Sequence, residues 1–492
     1  MAAHLLNVPL EVLLQITSYL TTPQYGYLRR TCKQLEALLF GAFAREFFSK
    51  RQFALVKFSL QALLDIANSR LGPSLTHLII HLERPYATRI ATRYTSMTPA
   101  PILSGKTAVQ ANEYQAECID HLEFIMTGED VDMLSDAIKL LPNLETVGMR
   151  DFHSVTRSRD STAWNSYGCP TFLERTGRRL EIPVIGRGPE YTSHVFLTIL
   201  RAIGNAAVSG HGSPDLTRLE VLLHHCHISD QSFKIPDRFD AAISLALGKL
   251  TSIFLDSLGG EEPYILVADC GGRADPIIGS GYFLSRFLVK APALEHLRLN
   301  FQSYDRDSTQ RLLSWLADAL ESPNLGTASP LASLAAANAL KRLPSHFPPT
   351  PKFSNLQHLD IGMATVTERI LIDLYQNYKS TLQGISLHKI TLEGTNEAKV
   401  NYWGRLCNAL AKSNLELKML RLSYVKQRTL GHPIRNCEVT FKGSRNKSVK
   451  EWRGSAFSQA IKDVIEDMES VWDKSDSEDD DDSMDDDSSD MM

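Results

Sequence analysis

The residues with the clearest chemical potential are "HHCH", His224 to His227, three imidazoles and a thiol in one run. Such donors bind metals, but an extended chain turns His224 and Cys226 to one side and His225 and His227 to the other. At most two donors then converge, where structural zinc requires four. The seven cysteines, at 32, 118, 169, 226, 270, 407 and 437, form no C-x-x-C pair, which fits a reducing compartment, cytoplasmic or nuclear. The "GSG" at 279–281 lacks the third glycine and the preceding strand of a dinucleotide loop, and it reads as a helix entrance. No nucleophile elbow, Walker loop, kinase set or H-E-x-x-H occurs. The chain is therefore expected to be no enzyme, with no catalytic residue, no cofactor and no metal.

At 492 residues the chain is too long for one core and calls for several domains or an elongated array. Its net charge of -5 is uneven: residues 473–492 hold 11 acids against Lys474, a balance of -10 that leaves +5 on the rest. So acidic a tail cannot bury enough apolar surface to offset its ordering entropy, and disorder is expected over 466–492. Ser475, Ser477 and Ser483 each precede an acid by three residues, a context that resembles sites of acid-directed casein-type kinases. The tail should repel nucleic acid, and the weakly basic body predicts no nucleic-acid partner. Glu11 and Gln15 interrupt the N-terminal apolar run and no stretch reaches membrane-spanning length, so neither a signal peptide nor a membrane partner is expected.

The elements that would position binding residues show in a returning pattern. "PSLTHLII" (73–80), "PNLETVGM" (142–149), "PDLTRLEV" (214–221) and "PALEHLRL" (292–299) each end in apolar, polar, apolar letters, as a short half-buried strand does. Copies without the proline follow at 354–361, 380–387 and 415–422. Helical periodicity precedes several copies, and the proline ends it. Thr365 and Glu368 suggest a capping box for a later helix. The four best copies start 69, 72 and 78 residues apart, more than one repeat length, so each interval is expected to hide further turns, "LGKLTSIFL" (247–255) among them. The pattern resembles the irregular leucine-rich repeats found in many F-box proteins, which implies an α/β solenoid: curved, with short parallel strands alternating with helices. A two-layer α/β domain is the rival. Insertions are expected at 153–190 and 326–352, the first as a surface excursion.

In such a repeat the residues between the core apolars face the concave surface, where a target protein would bind. These are His77 and Ile79, Thr146 and Gly148, Arg218 and Glu220, His296 and Arg298, His358 and Asp360, then Met419 and Arg421.

The first fifty residues carry a second resemblance. Pro9 suits a first helical position, Val12, Ile16 and Leu20 follow at i, i+4 and i+8, and Thr21, Thr22 and Pro23 stop the helix. A second helix is expected through "QYGYLRRTCKQLEALL", with Tyr25, Leu28, Cys32, Leu35 and Leu39 on one side. Val8-Pro9-Leu10-Glu11, Ile16 with Leu20, and Leu28 with Cys32-Lys33 are similar to the F-box, a helical module that docks on the Skp adaptor of cullin-RING ubiquitin ligases. Valine replaces that family's leading leucine, and Pro23-Gln24-Tyr25 replaces its usual acidic-leucine start. The resemblance implies an F-box at 1–48, a substrate-binding repeat region at 49–465, and a tail. It also implies adaptor contacts at Val8, Pro9, Val12, Ile16, Leu20, Tyr25 and Leu28, with cullin held through the adaptor. The function it implies is substrate recognition for a Skp/cullin/F-box ligase. The alternatives are a scaffold outside any ligase and helices that only cap the first repeat.

Overall fold

The computed structural model describes residues 5–86, 105–153, 159, 165–182, 188–210, 214–259, 266–268, 274–276, 281–302, 306–318, 348–394, 400–413, 415, 417–430, 435–444 and 446–472. The expected insertion at 326–352 lies outside these except for 348–352, and the serines at 475, 477 and 483 lie outside them too. Among the described residues, no helix is long and apolar enough to cross a membrane.

The chain opens with α1 (Leu10–Ser18), α2 (Thr22–Arg30) and α3 (Lys33–Phe48). Pro9 is the residue before the first turn, Tyr19 caps the end of α1, and Thr21 starts the next helix. Its hydroxyl accepts from the Gln24 N–H while the Gln24 side chain accepts from the Thr21 N–H at 2.9 Å. The single second helix expected from the sequence is two. Cys32 leaves helical backbone (φ -156°) and its sulfur accepts from the Leu35 N–H, restarting the helix.

The chain then forms a mixed α/β structure that divides into two compact units, one within 1–308 and 324–356, the other within 309–323 and 357–492. The first unit holds strands β1 (Lys50–Ala54), β2 (His77–His81), β3 (Thr146–Arg150), β4 (Arg218–Leu222), β5 (Ile228–Ser229), β6 (Ser252–Leu255), β7 (Leu258–Gly259), β8 (Leu266–Ala268), β9 (Ala274–Pro276) and β10 (His296–Asn300). The order β1-β2-β3-β4-β6-β10 is parallel throughout, and the sequence copies align in register: His77, Thr146, Arg218, Ser252 and His296 are successive partners. The copy hidden in "LGKLTSIFL" is β6, between β4 and β10. Among the described residues the other two long intervals hide no further strand of this sheet. Where the single helix α4 (Lys57–Ala67) precedes β2 and α9 (Asp237–Leu247) precedes β6, additional helices lengthen these two intervals, α5 (Gly105–Thr127) ahead of α6 (Glu129–Lys139), and α7 (Cys169–Thr176) ahead of α8 (Gly188–Ser209). Parallel strands need a crossover of helical length, and such connections tolerate extra elements.

The region 153–190 departs from the expected surface excursion. Phe172 and Ser166 are buried, and the Tyr167 N–H donates to the Gln52 carbonyl at 2.9 Å, so this segment folds back along β1.

The second unit repeats a two-strand grammar. β11 (His358–Gly362), β13 (Gly384–His388) and β15 (Met419–Ser423) pair in parallel, with β18 (Val449–Arg453) antiparallel at β15. Each of the three is followed at once by a strand of a second sheet: β12 (Thr365–Thr367), β14 (Thr391–Gly394) and β16 (Lys426–Thr429). β17 (Arg435–Phe441) and β19 (Met468–Trp472) extend that sheet antiparallel. Thr365 is thus in a strand, and no capping box forms; Thr367 precedes the helix Glu368–Asn377 without a side-chain cap. The helix Phe457–Asp467 and β19 place 466–472, expected to belong to the tail, in regular secondary structure, and the rest of the expected tail, 473–492, lies outside the described residues.

Between each strand and its successor sits a left-handed residue: Met363 (φ 53°), Lys389 (52°) and Tyr424 (53°). Each donates its N–H to the next repeat, Met363 to the His388 carbonyl, Lys389 to Ser423 and Tyr424 to Ser448, at 2.7–2.8 Å. Such backbone costs a residue with a Cβ about 1–2 kcal/mol, while glycine's extra freedom when unfolded costs about 0.5–1 kcal/mol. The exposed Lys389 replaced by glycine should therefore leave stability level or raise it by up to about 1 kcal/mol, read by urea denaturation. A loss above that value would contradict the strain.

Candidate functional site

The first candidate surface is on α1. Leu13 and Thr17 point inward, where Leu13, Tyr25, Leu35, Leu39 and Phe47 form a core with Leu20, Leu28 and Phe43 packed at its edge. Val12, Ile16 and Tyr19, spaced i, i+4 and i+7, are 44%, 40% and 81% exposed, with Leu6 and Leu10 exposed beside them. Of the expected adaptor contacts, Pro9, Val12 and Ile16 are therefore exposed, and Val8, Leu20 and Leu28 are half-buried. Tyr25 is a correction. It is buried, its ring lies edge-on to Phe43 at 5.8 Å, and burial pushes its phenol above the ordinary value, so it belongs to the helices' own core. The core is tied to the rest of its unit by Arg159, whose guanidinium pairs with Glu46 at 2.7 Å and donates to the Thr17 and Leu20 carbonyls.

The strand face expected to bind a target is partly closed in the first unit. Ile79, Thr146 and Glu220 are buried, and Gly148 lies beneath the His77 imidazole. His77 and Arg218 do meet, around the Glu220 carboxylate, which stands 3.5 Å from His77, 3.6 Å from Arg150 and 3.7 Å from Arg218. Burial, with Lys50, Arg150 and Arg218 adding their charge, pulls the His77 imidazole down to about 3, so it is neutral here. Arg298 pairs with Asp256 at 2.8 Å and His296 meets the Phe254 ring at 4.6 Å. In the second unit the His358 ring covers Gly384, Arg421 approaches Glu451 at 3.8 Å, Met419 and Asp360 are half-buried, and Arg421 is exposed.

The "HHCH" run is a correction in shape. It bends rather than extends, wrapping the fully buried Asp151, whose carboxylate accepts from the backbone N–H groups of His224, His225 and Cys226 at 2.6–2.7 Å. The glycine at 281 does enter a helix, α10 (Tyr282–Val289), whose first N–H groups meet Asp230. Burial raises that carboxyl to about 6 against these donors.

Sequence reasoning missed a polar cluster at the C-terminal ends of β1 and β2. Glu83 stands at its centre: His81 Nδ1 lies 3.0 Å from one carboxylate oxygen and His153 Nε2 3.0 Å from the other. The two imidazoles stack at 4.7 Å. Ser166 donates to Glu83 at 2.8 Å, Gln52 reaches both Ser166 (3.0 Å) and His153 Nδ1 (3.2 Å), and the Cys169 thiol lies 3.6 Å from Glu83. The two imidazoles hold the Glu83 carboxyl far below its usual range although burial opposes them, and Glu83 in turn raises His153. The available signal was "HLE" and "RDFH" directly after two repeat copies, where strands end and side chains converge. Nearby, Arg84, Tyr86, His121, Tyr191 and His194 line a cavity of about 370 Å³.

Compared with known proteins, the chain matches no protein-family model and no curated protein.

The Glu220 cluster predicts an asymmetry. Glu220→Ala leaves the buried Arg150 without its carboxylate and should cost about 3 kcal/mol, whereas Arg298→Ala, on a pair 42% exposed at the arginine, should cost under about 1 kcal/mol. Urea midpoints of the two variants measure this; equal losses would refute it.

Proposed function

We propose that the chain is a substrate-recognition subunit of a Skp/cullin/F-box ubiquitin ligase, with helices α1 to α3 as its F-box. The observation that carries this reading is the double-sided α1: Leu13 and Thr17 complete the internal core while Val12, Ile16 and Tyr19 present a second apolar stripe to solvent. An amphipathic helix whose second stripe has no internal partner among the described residues suits helix-in-groove docking, which uses anchors at this spacing. The resemblance of the surrounding residues to the F-box makes a Skp-type adaptor the partner, and cullin follows through it.

On this reading the in-register copies behind the helices are irregular leucine-rich repeats, whose strand faces hold an unknown target protein. The chain does no covalent chemistry. It accelerates ubiquitin transfer by raising the target's effective concentration near the conjugating enzyme.

Ile16→Asp in the full chain tests the reading. A charge forced into a closed apolar contact should weaken adaptor binding by about 2 kcal/mol or more, roughly thirtyfold. Folding should change by less than about 0.5 kcal/mol, because the side chain is already largely in water. Pulldown of adaptor and cullin, with the circular-dichroism melt as control, reads both. Adaptor recovered without cullin favours the scaffold role, and undiminished adaptor binding by Ile16→Asp and Val12→Asp rejects the docking face.

A further inference from the structure

We propose that His81, Glu83 and His153 form a binding site for a divalent transition-metal ion, zinc in the first instance. Their donor atoms all lie within 4.8 Å of one another, and the set is two imidazoles and one carboxylate. That is a zinc-type ligand set with a coordination position left over. Tetrahedral bonds of about 2.0 Å separate neighbouring donors by roughly 3.3 Å. The present 3.0 Å separations from each imidazole to Glu83 need a few tenths of an ångström of opening, and one of the two stacked rings must turn so that both lone pairs meet at the ion.

The metal-free cluster also has an unsolved proton problem. His81 is fully buried and its Nε2 has no hydrogen-bond partner. Its Nδ1 faces conflicting demands, for the Glu83 carboxylate at 3.0 Å requires a proton there while the Glu83 backbone N–H, pointing at the same nitrogen from 3.3 Å, requires a lone pair. Neither neutral tautomer answers both. With an ion on Nδ1 the imidazole and the carboxylate bind the same cation, so the repulsion between Nδ1 and oxygen is gone, while the Glu83 N–H gives up its acceptor and the proton sits on Nε2.

The surroundings supply the outer support that metal-bound imidazoles use. An ion on His153 Nε2 requires the proton on Nδ1, which lies 3.2 Å from the Gln52 amide. The amide oxygen of Gln52 is buried and has no partner, so turning the amide over gives that proton an acceptor in exchange for the Gln52 donation to Ser166. Ser166 holds the carboxylate from the other side. The His153 side chain is 30% exposed, which leaves an entry path and room for a water as fourth ligand. An ion there would staple the end of β2 to the segment after β3.

The test uses the purified full chain, stripped with EDTA and titrated with zinc chloride by calorimetry and with cobalt chloride by visible absorption. One ion per chain is expected, with micromolar or tighter affinity and the cobalt d–d bands of a four-coordinate site. His153→Ala and Glu83→Gln should each lower the affinity about tenfold or more, and zinc should raise the melting temperature of the unaltered protein but not of His153→Ala. His153 is half-exposed, so its alanine variant should keep the far-ultraviolet spectrum; His296→Ala, elsewhere on the sheet, should bind as the unaltered chain does. No uptake, or uptake unchanged in His153→Ala and so owed to the exposed His224 and His225 or to the acidic C-terminal residues, overturns the proposal.

Discussion

A parallel strand cannot pair with its predecessor until the chain has travelled back to the same end, and everything in the first unit follows from that return. Each strand offers two buried apolar side chains on one side, such as Leu78 and Ile80, Leu219 and Val221, or Leu297 and Leu299, and these must lie level with the neighbour's. A slip of one residue would turn every leucine outward. The ladder's register is therefore fixed by burial, while the crossovers are free to grow, and they do.

The freedom of the crossovers explains how polar groups reach the interior. Where a connection leaves a strand end, backbone N–H groups remain without ladder partners, and buried carboxylates take them up. Asp151 gathers three donors from the bend at 224–226, and Asp230 meets the start of α10. A buried acid is tolerable only with several donors, and these loops supply them. Glu83 and Glu220 follow a different rule, being surrounded by cationic or titratable side chains instead of backbone. Such side chains, unlike backbone, can exchange a proton or a ligand.

The part of the fold legible in the sequence is the part governed by the ladder. The seven copies fall on β2, β3, β4, β10, β11, β13 and β15, and even the copy without proline at 247–255 is a strand. What was not legible depends on distant partners. The left-handed turn at Met363, Lys389 and Tyr424 carries no glycine, so local chemistry gives no hint of the second sheet. The pairing of Tyr167 with β1 joins residues more than a hundred positions apart. Of the candidate site residues, the alternation rule correctly set His296 and Arg298 apart from the core. It could not foresee that Ile79 and Glu220 would be covered, since covering is done by other segments.

The N-terminal helices show the same limit at short range. On a helix of nine residues the stripes Val12, Ile16, Tyr19 and Leu13, Thr17, Leu20 are one position apart, and periodicity alone merges them into one broad apolar face. Which stripe turns inward is decided by α2 and α3. Tyr25, Leu35 and Leu39 meet Leu13, and Arg159 holds the last carbonyls of α1, so the helix cannot roll to hide Ile16 without breaking both arrangements. The threonine at 17 fits this geometry. Its hydroxyl bonds back to the Leu14 carbonyl at 2.8 Å and so can be buried, leaving the larger apolar side chains of the other stripe facing water. An apolar surface held open by its own scaffold is an arrangement that a partner's groove can stabilise and that internal repacking cannot remove.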